Sequence, residues 1–402
     1  MNKRVVAITM AMLLVLTAVF SACGKKDDTS SSVATEPAAS SVAEPAEPPY
    51  TPNPLTGLEN KSEYPEGKRF AAVMINNIAG NGANNARPQW GISTADVLVE
   101  IKVEGGITRL MGLFADYANM PQVGPVRSAR DQFFQLILPY QPLYIHIGES
   151  TVQSEFRTNY EYGLLDINLD KYSFPRDQAR LNTGVNVEHT AYTNGELISG
   201  IVQKNNIDDN RTYSSPIFNF ENYNNGERAI TGDNAVQVSI VHSQTYRTYF
   251  DYDEASQQYL MSQYSSLKGA VHETIDANNN ERVKFKNLLV MFGDIATHPN
   301  YVNEHYDIQK VDYAAGGLGF YFCNGKVEQV TWSKPTPQSV MEIFSKTTGE
   351  AITINPGKTY LGVVDYDEAA NFTYDTGLSG DSTDAKDIVV TPDSTNTEFV
   401  DE

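Results

Sequence analysis

Residues 96–104 read Asp-Val-Leu-Val-Glu-Ile-Lys-Val-Glu, with apolar and charged side chains in alternation. Successive side chains of a strand point to opposite faces. The run therefore predicts one buried face made by Val97, Val99, Ile101 and Val103, and an opposite solvated face of Glu100, Lys102 and Glu104. Gly105-Gly106 then turns the chain into residues 107–114, which completes a hairpin. A hairpin alone is marginal in water, so this one needs further strands or a covering layer. Residues 69–77 and 143–147 supply two more buried strands. After Gly124-Pro125, the spacing of Phe133, Phe134, Leu136 and Ile137 predicts a helix that starts near Val126 and stops at Pro139. Helical signals return at 151–158 and 189–204. Residues 205–233, rich in Asn, Asp, Gly and Pro, mark a boundary. Beyond it the pattern is mostly strands separated by turns such as Asn324-Gly325. The expected fold is a mixed α/β (α+β) N-terminal domain over 55–220, followed by a smaller β-rich C-terminal domain over 234–364.

The flanks read differently. Lys3 and Arg4 precede an apolar stretch over 5–20, then Ser21-Ala22-Cys23. This predicts a lipoprotein signal peptide, residues 1–22, cleaved before a lipidated Cys23. Two palmitate-type acyl chains give stable anchoring where one is marginal. Residues 23–54, dominated by Ser, Ala, Glu, Pro and Thr, predict a disordered tether. Residues 365–402 hold eleven Asp or Glu against one Lys and predict an acidic solvated tail. The expected location is extracytoplasmic, on the outer face of the cytoplasmic membrane, with the membrane met through lipid on Cys23. No second long apolar run exists, which excludes a polytopic membrane protein. The net charge of −20, from 30 Lys and Arg against 50 Asp and Glu, argues against a nucleic-acid binder. Cys323, in an apolar run, reads as a buried strand residue.

Three motifs stand out in the first half: Ala86-Arg87-Pro88-Gln89 leading into residues 92–96, Glu104-Gly105-Gly106-Ile107-Thr108-Arg109, and Val123-Gly124-Pro125-Val126-Arg127-Ser128-Ala129-Arg130. With Asn53-Pro54-Leu55-Thr56-Gly57 before them, and residues 319–332 and 355–360 after, they resemble the YerB-like lipoproteins of Gram-positive bacteria. The resemblance spans about 53–364. It implies a two-domain envelope lipoprotein built around a domain of unknown function, and it implies no reaction. Glu188-His189-Thr190-Ala191 departs from the Pro-His-Asn-like run expected there.

The residues themselves point to an arginine corner. A helix starting near Val126 would place Arg127 and Arg130 in its first turn, where cations oppose the helix dipole at a cost of roughly 0.3–1 kcal/mol each. Two readings stay open. Arg109, Arg127, Ser128 and Arg130, with the helix N-terminus, form an anion pocket for a carboxylate or phosphate, Glu104 and His146 completing the expected ligand-binding set and Arg87 a further candidate; or the arginines are spent on Glu100, Glu104 or Asp96 in a structural network. The expected function on the first reading is binding of an anionic envelope ligand or a cell-wall protein partner. The alternative is a cell-wall hydrolase using Glu104 or His146 with a second carboxylate such as Asp131 or Glu149. Glu100 and Glu104 lie about 13 Å apart along a strand, too far to act as a pair. His146 and His189 each read as a general base or as a bonded core histidine. Asp177 and Arg180 read as a loop contact or a surface ion pair. Asp276-x-Asn278-x-Asn280 starts like a calcium loop but lacks its Gly and final Glu, so a hairpin turn explains it. No cofactor and no metal are expected.

Overall fold

A computed structural model describes residues 52–59, 64–80, 82–266, 268–301 and 307–375. The signal peptide, Cys23, the tether up to residue 51 and the tail beyond residue 375 lie outside the described residues. In the first half, β1 (Ala71–Asn76), β2 (Val97–Lys102) and β3 (Thr108–Phe114) precede helix α1 (Asp131–Ile137) and β4 (Leu143–His146). Helix α2 (Thr151–Arg157), β5 (Asp166–Asn168), α3 (Gln178–Asn182) and α4 (Gly195–Lys204) complete it. The second half begins with β6 (Gln237–Val241), β7 (Arg247–Asp253), β8 (Gln258–Ser265), β9 (Ala270–Glu273) and β10 (Lys284–Phe285). It continues with β11 (Asn287–Gly293), β12 (Ile295–Thr297), β13 (Gln309–Val311), β14 (Gly317–Cys323) and β15 (Lys326–Ser333). The last strands are β16 (Glu342–Ser345), β17 (Thr359–Asp365) and β18 (Thr373–Asp375). A mixed α/β first part is thus followed by a β-rich second part.

Ten strands join in one sheet, in the order β16-β15-β14-β11-β17-β2-β3-β1-β4-β5. Strand β17 lies parallel to β11 on one side and to β2 on the other, so the two halves of the chain share this sheet. The central strands β11 and β17 are buried along their whole length, as expected for a sheet covered on both faces. One face carries Val97, Val99, Ile101, Met111 and Val363 and packs on α1 through Phe133, Phe134 and Ile137. Burying Phe133 and Phe134 contributes roughly 1.5–3 kcal/mol each. The other face carries Leu98, Leu110, Val290, Phe320 and Tyr360. It packs against a second sheet, β10-β8-β7-β6-β18 with β9 beside β8, through Ile240, Phe250, Tyr259 and Met261.

This second layer overturns the expectation that Glu100, Lys102 and Glu104 face solvent. Glu100 is 1% exposed. Its Oε1 accepts from Asn77 Nδ2 at 3.1 Å and Thr108 Oγ1 at 2.7 Å, and its Oε2 from Thr248 Oγ1 and Tyr360 Oη, both at 2.8 Å. Asn77 Oδ1 in turn accepts from Arg87 Nε at 3.0 Å, which links the carboxylate to a guanidinium through one amide. The network draws on β2, β3 and β17 of the large sheet and β7 of the small one. Lys102 meets Asp365 at the end of β17.

Two other expectations are corrected. Helix α1 begins at Asp131, not near Val126; Arg130 is its N-cap in extended conformation, and Arg127 lies outside the helix. The residues 126–130 stay extended because they pair instead: Arg127 N–H donates to Met74 O at 3.0 Å, and Ala129 N–H to Gly148 O at 3.0 Å. The acidic tail read from residue 365 does not begin there: Ala369, Phe372 and Tyr374 are buried against the second sheet, and residues beyond 375 lie outside the described residues. The hairpin turn at 105–106 forms as expected, with both glycines at positive φ. Cys323 is buried, which pushes its thiol pKa up. The turn after Asp276 is closed by the Ile275–Arg282 bridge, and Asp276 accepts from the backbone of Gly91 and Ser93.

Removing the Glu100 carboxylate takes the acceptor from the buried Thr108, Thr248 and Tyr360 hydroxyls, while Asn77 Nδ2 keeps Thr108 Oγ1 at 2.8 Å. A Glu100→Ala variant should lose roughly 3–5 kcal/mol in urea unfolding, and Glu100→Gln, which keeps one acceptor oxygen, clearly less. Equal stability of Glu100→Ala and wild type would show that the network does not hold the two sheets.

Candidate functional site

The arginine corner is built at the ends of β1 and β3. Arg109 starts β3 opposite Asn76 of β1 and Ile101 of β2. The extended segment 126–130 crosses beside it, held between β1 and the loop after β4. That loop turns at Gly148, whose φ is +66°. A Cβ there would meet Ser128 Oγ at 3.3 Å, so the close approach of the two segments favours glycine.

Arg109 is 5% exposed. Its Nη1 donates to Ser128 O at 2.6 Å, while its Nε is buried with no hydrogen-bond partner among the described residues. Burial, then the charge of Arg130, push its pKa well below the usual arginine value; Glu104 opposes and Arg127 adds to the shift. Arg130 forms a two-pronged pair with Glu104, Nε to Oε1 at 2.5 Å and Nη2 to Oε2 at 3.0 Å. Its Nη1 donates to Ala129 O at 2.7 Å. Burial opposes ionisation of Glu104, yet the charge and hydrogen bonds of Arg130, with Arg109 behind, outweigh it and hold the carboxyl below its usual range. Arg127 is the most open of the three. It lies 3.7 Å from Glu188 Oε1, and the two side chains are 31% and 46% exposed, so the pair is weak. The corner therefore gathers three guanidinium groups around one tightly paired carboxylate and one loosely paired one.

His146 stands beneath this corner and is fully buried. Its Nδ1 donates to Gly148 O at 2.7 Å, the carbonyl that also receives Ala129 N–H, and its Nε2 is 2.9 Å from Asp166 Oδ1. Both ring nitrogens are engaged, so the ring props the loop that carries the arginine segment. Glu149 pairs with Arg157 at 3.0 Å. His189 is likewise a bonded core histidine: Nδ1 accepts from Asn76 Nδ2 at 2.8 Å and Nε2 donates to Asn84 Oδ1 at 2.7 Å. This pattern suits the neutral ring, and burial lowers the His189 pKa in the same sense. Asp177 caps α3, and Arg180 lies 3.6 Å from the centre of the Trp90 ring. Among the described residues no cluster of three His, Cys, Asp or Glu side chains is placed to hold a metal.

Sequence reasoning missed a second feature. A cleft of about 510 Å³ opens between residues 79–89 and the β8–β9 region. Arg87 and Gln89 line it from one side, Gln263 and Thr274 from the other, with Lys268 and His272 at its edge. Of these only Arg87 and Gln89 belonged to a motif recognised in the sequence.

Two family descriptions match the chain: "Protein of unknown function (DUF3048) N-terminal domain" over residues 55–208, and the corresponding C-terminal domain over 236–361. A relative from Bacillus subtilis (strain 168), named "Putative lipoprotein YerB", is 26% identical over 334 residues, covering 81% of this chain and 89% of its own. The crystal structure of YerB protein from Bacillus subtilis shares the fold, with a TM-score of 0.62 at 24% identity, across 78% of this chain and 96% of that one. Among the described residues no helix is long and apolar enough to cross a membrane. The two matches together cover more than half of the sequence, and the chain belongs to the YerB-like family, whose function is unknown.

Proposed function

We propose that this chain is a lipid-anchored extracytoplasmic binding protein that takes an anionic envelope ligand on the corner of Arg109, Arg127 and Arg130. The lipoprotein name of the relative and the Cys23 motif support the anchor. The observation that carries the binding reading is Arg109. A buried guanidinium beside two others, with its Nε unpartnered, favours a negative guest. Arg127, only loosely paired with Glu188, supplies the accessible contact. Arg130 and Glu104 serve as the rigid wall, since their fork is already closed. Ser128 contributes the carbonyl that orients Arg109.

The test is calorimetric titration of the full-length chain with inorganic phosphate and with anionic wall fragments. Arg127→Ala should unfold within about 0.5 kcal/mol of wild type, because its ion pair is exposed. It should bind about tenfold more weakly, the loss expected for one charge-assisted hydrogen bond. Unchanged binding in Arg127→Ala, or no binding by wild type, removes the proposal.

A hydrolase reading is favoured by one observation. Asp131, 3% exposed at the start of α1, has its carboxyl pushed up to about 6 by burial, whereas Glu104 nearby is held low. Acid–base pairs need such a split. This reading requires turnover of peptidoglycan fragments that is lost in Glu104→Gln. The Asp131 state is testable separately. The folded carboxyl keeps its proton to about pH 6, against 3.8 when unfolded, so the fold binds more protons in that window. Stability from this group is full below the unfolded value and is lost as pH rises through the folded one. Relative to wild type, Asp131→Asn should therefore gain on the order of 2 kcal/mol in urea unfolding between about pH 3.5 and about pH 7. A pH-independent difference would mean Asp131 ionises normally.

A further inference from the structure

The cleft beside β8 combines buried, unsatisfied polar groups with a positive rim, and neither property is used by the arginine corner. Gln263 on β8 is 3% exposed, and both its Nε2 and Oε1 lack partners among the described residues. Thr274 is 6% exposed, and its Oγ1 is also unpartnered. Both line the cleft. Their neighbours are committed elsewhere. Thr248, opposite Gln263 on β7, gives its hydroxyl to Glu100. Gln89 donates its amide to Asn76 O at 3.3 Å and Asn77 Oδ1 at 2.7 Å. An unmet buried donor or acceptor is costly, so three behind one wall favour a guest that brings matching groups to them.

The shape of that guest follows from the groups. A glutamine amide offers one donor and one acceptor side by side, which complements another amide. Arg87 lines the opposite wall; its Nε and Nη1 donate to Asn77 Oδ1 and Tyr264 O, which fixes the guanidinium, and its Nη2 donates to no acceptor among the described residues. Lys268 and His272 add basic groups at the mouth, and the one acid there, Glu273, is drawn to Arg282 at 3.2 Å. A fixed guanidinium is suited to a carboxylate. The volume of about 510 Å³ is in the range of small-ligand sites.

We propose that this cleft binds the carboxyl-terminal end of a peptide, with its last amide on Gln263 and Thr274 and its carboxylate on Arg87. The site is separate from the arginine corner and stands whether or not that corner binds anions.

The probe is N-acetyl-alanyl-alanine, titrated into the full-length chain by calorimetry alongside its carboxyl-terminal amide, acetate and N-methylacetamide. The free acid should bind, the terminal amide about tenfold more weakly, and acetate and N-methylacetamide more weakly still. Gln263→Leu removes two orphaned polar atoms in similar volume, so its melting temperature should equal or exceed that of wild type, while its affinity for the probe falls at least about tenfold. Exposed Lys268→Glu should also weaken the probe without unfolding the chain, and Arg127→Ala should leave it unchanged. No binding of the free acid, equal binding of the acid and its amide, or wild-type affinity in Gln263→Leu would each overturn the proposal. If Gln263→Leu unfolds, Lys268→Glu decides in the same way.

Discussion

The insertion of β17 between β11 and β2 is the constraint on which the rest depends. A strand from near the end of the chain runs parallel to one from near its start, in register from Thr359 against Val97 to Val363 against Ile101. Parallel pairing of such distant segments puts both faces of the sheet under other layers. Helix α1 covers one face and the second sheet the other. Glu100 is the consequence. A strand that alternates as if half exposed carries a carboxylate into the space between two sheets, where it must be met by four donors. The network it collects reaches through Asn77 to Arg87, and so ties the core to the cleft.

The arginine corner rests on the same frame. Arg109 is carried by β3 and Glu104 by the turn that joins β2 to β3, so their spacing is set by the hairpin. The extended segment 126–130 is held by backbone hydrogen bonds to β1 and to the loop after β4. Because these supports are backbone pairs, the guanidinium groups converge without needing each other's company. Glu104 offsets much of that charge through Arg130, and Glu188 offsets a little more near Arg127. What is left is a buried cation whose Nε–H has no partner among the described residues.

Much of this was legible in the residues. The strands at 69–77, 96–104 and 143–147 were readable because an apolar run or an alternating pattern reports a pleated, buried surface. The hairpin at Gly105-Gly106 was readable because a left-handed turn calls for glycine. The pairing of Arg130 with Glu104 was one of two options open from sequence. Other features were hidden for physical reasons. Alternation marks which side of a strand is polar, but not whether a second layer covers that side, so the pattern alone places Glu100 in solvent. The sequence places the helix start too early because Gly124-Pro125 signals a break without saying where pairing to β1 ends. The cleft was invisible because its walls are far apart in the chain; Arg87 and Tyr264, joined by a hydrogen bond, are 177 residues apart. Gln263 and Thr274 carry no motif at all, and only the tertiary structure reveals that their side-chain polar atoms lack partners among the described residues.

The proposed anion site turns on the Arg109 Nε–H, a buried donor with no partner among the described residues. Arginine side-chain NMR reads it directly. On titration of the full-length chain with phosphate, the Arg109 Nε–H resonance should move downfield and saturate together with that of Arg127. A resonance for Arg109 that stays fixed through the titration, with or without movement at Arg127, would overturn the proposed site.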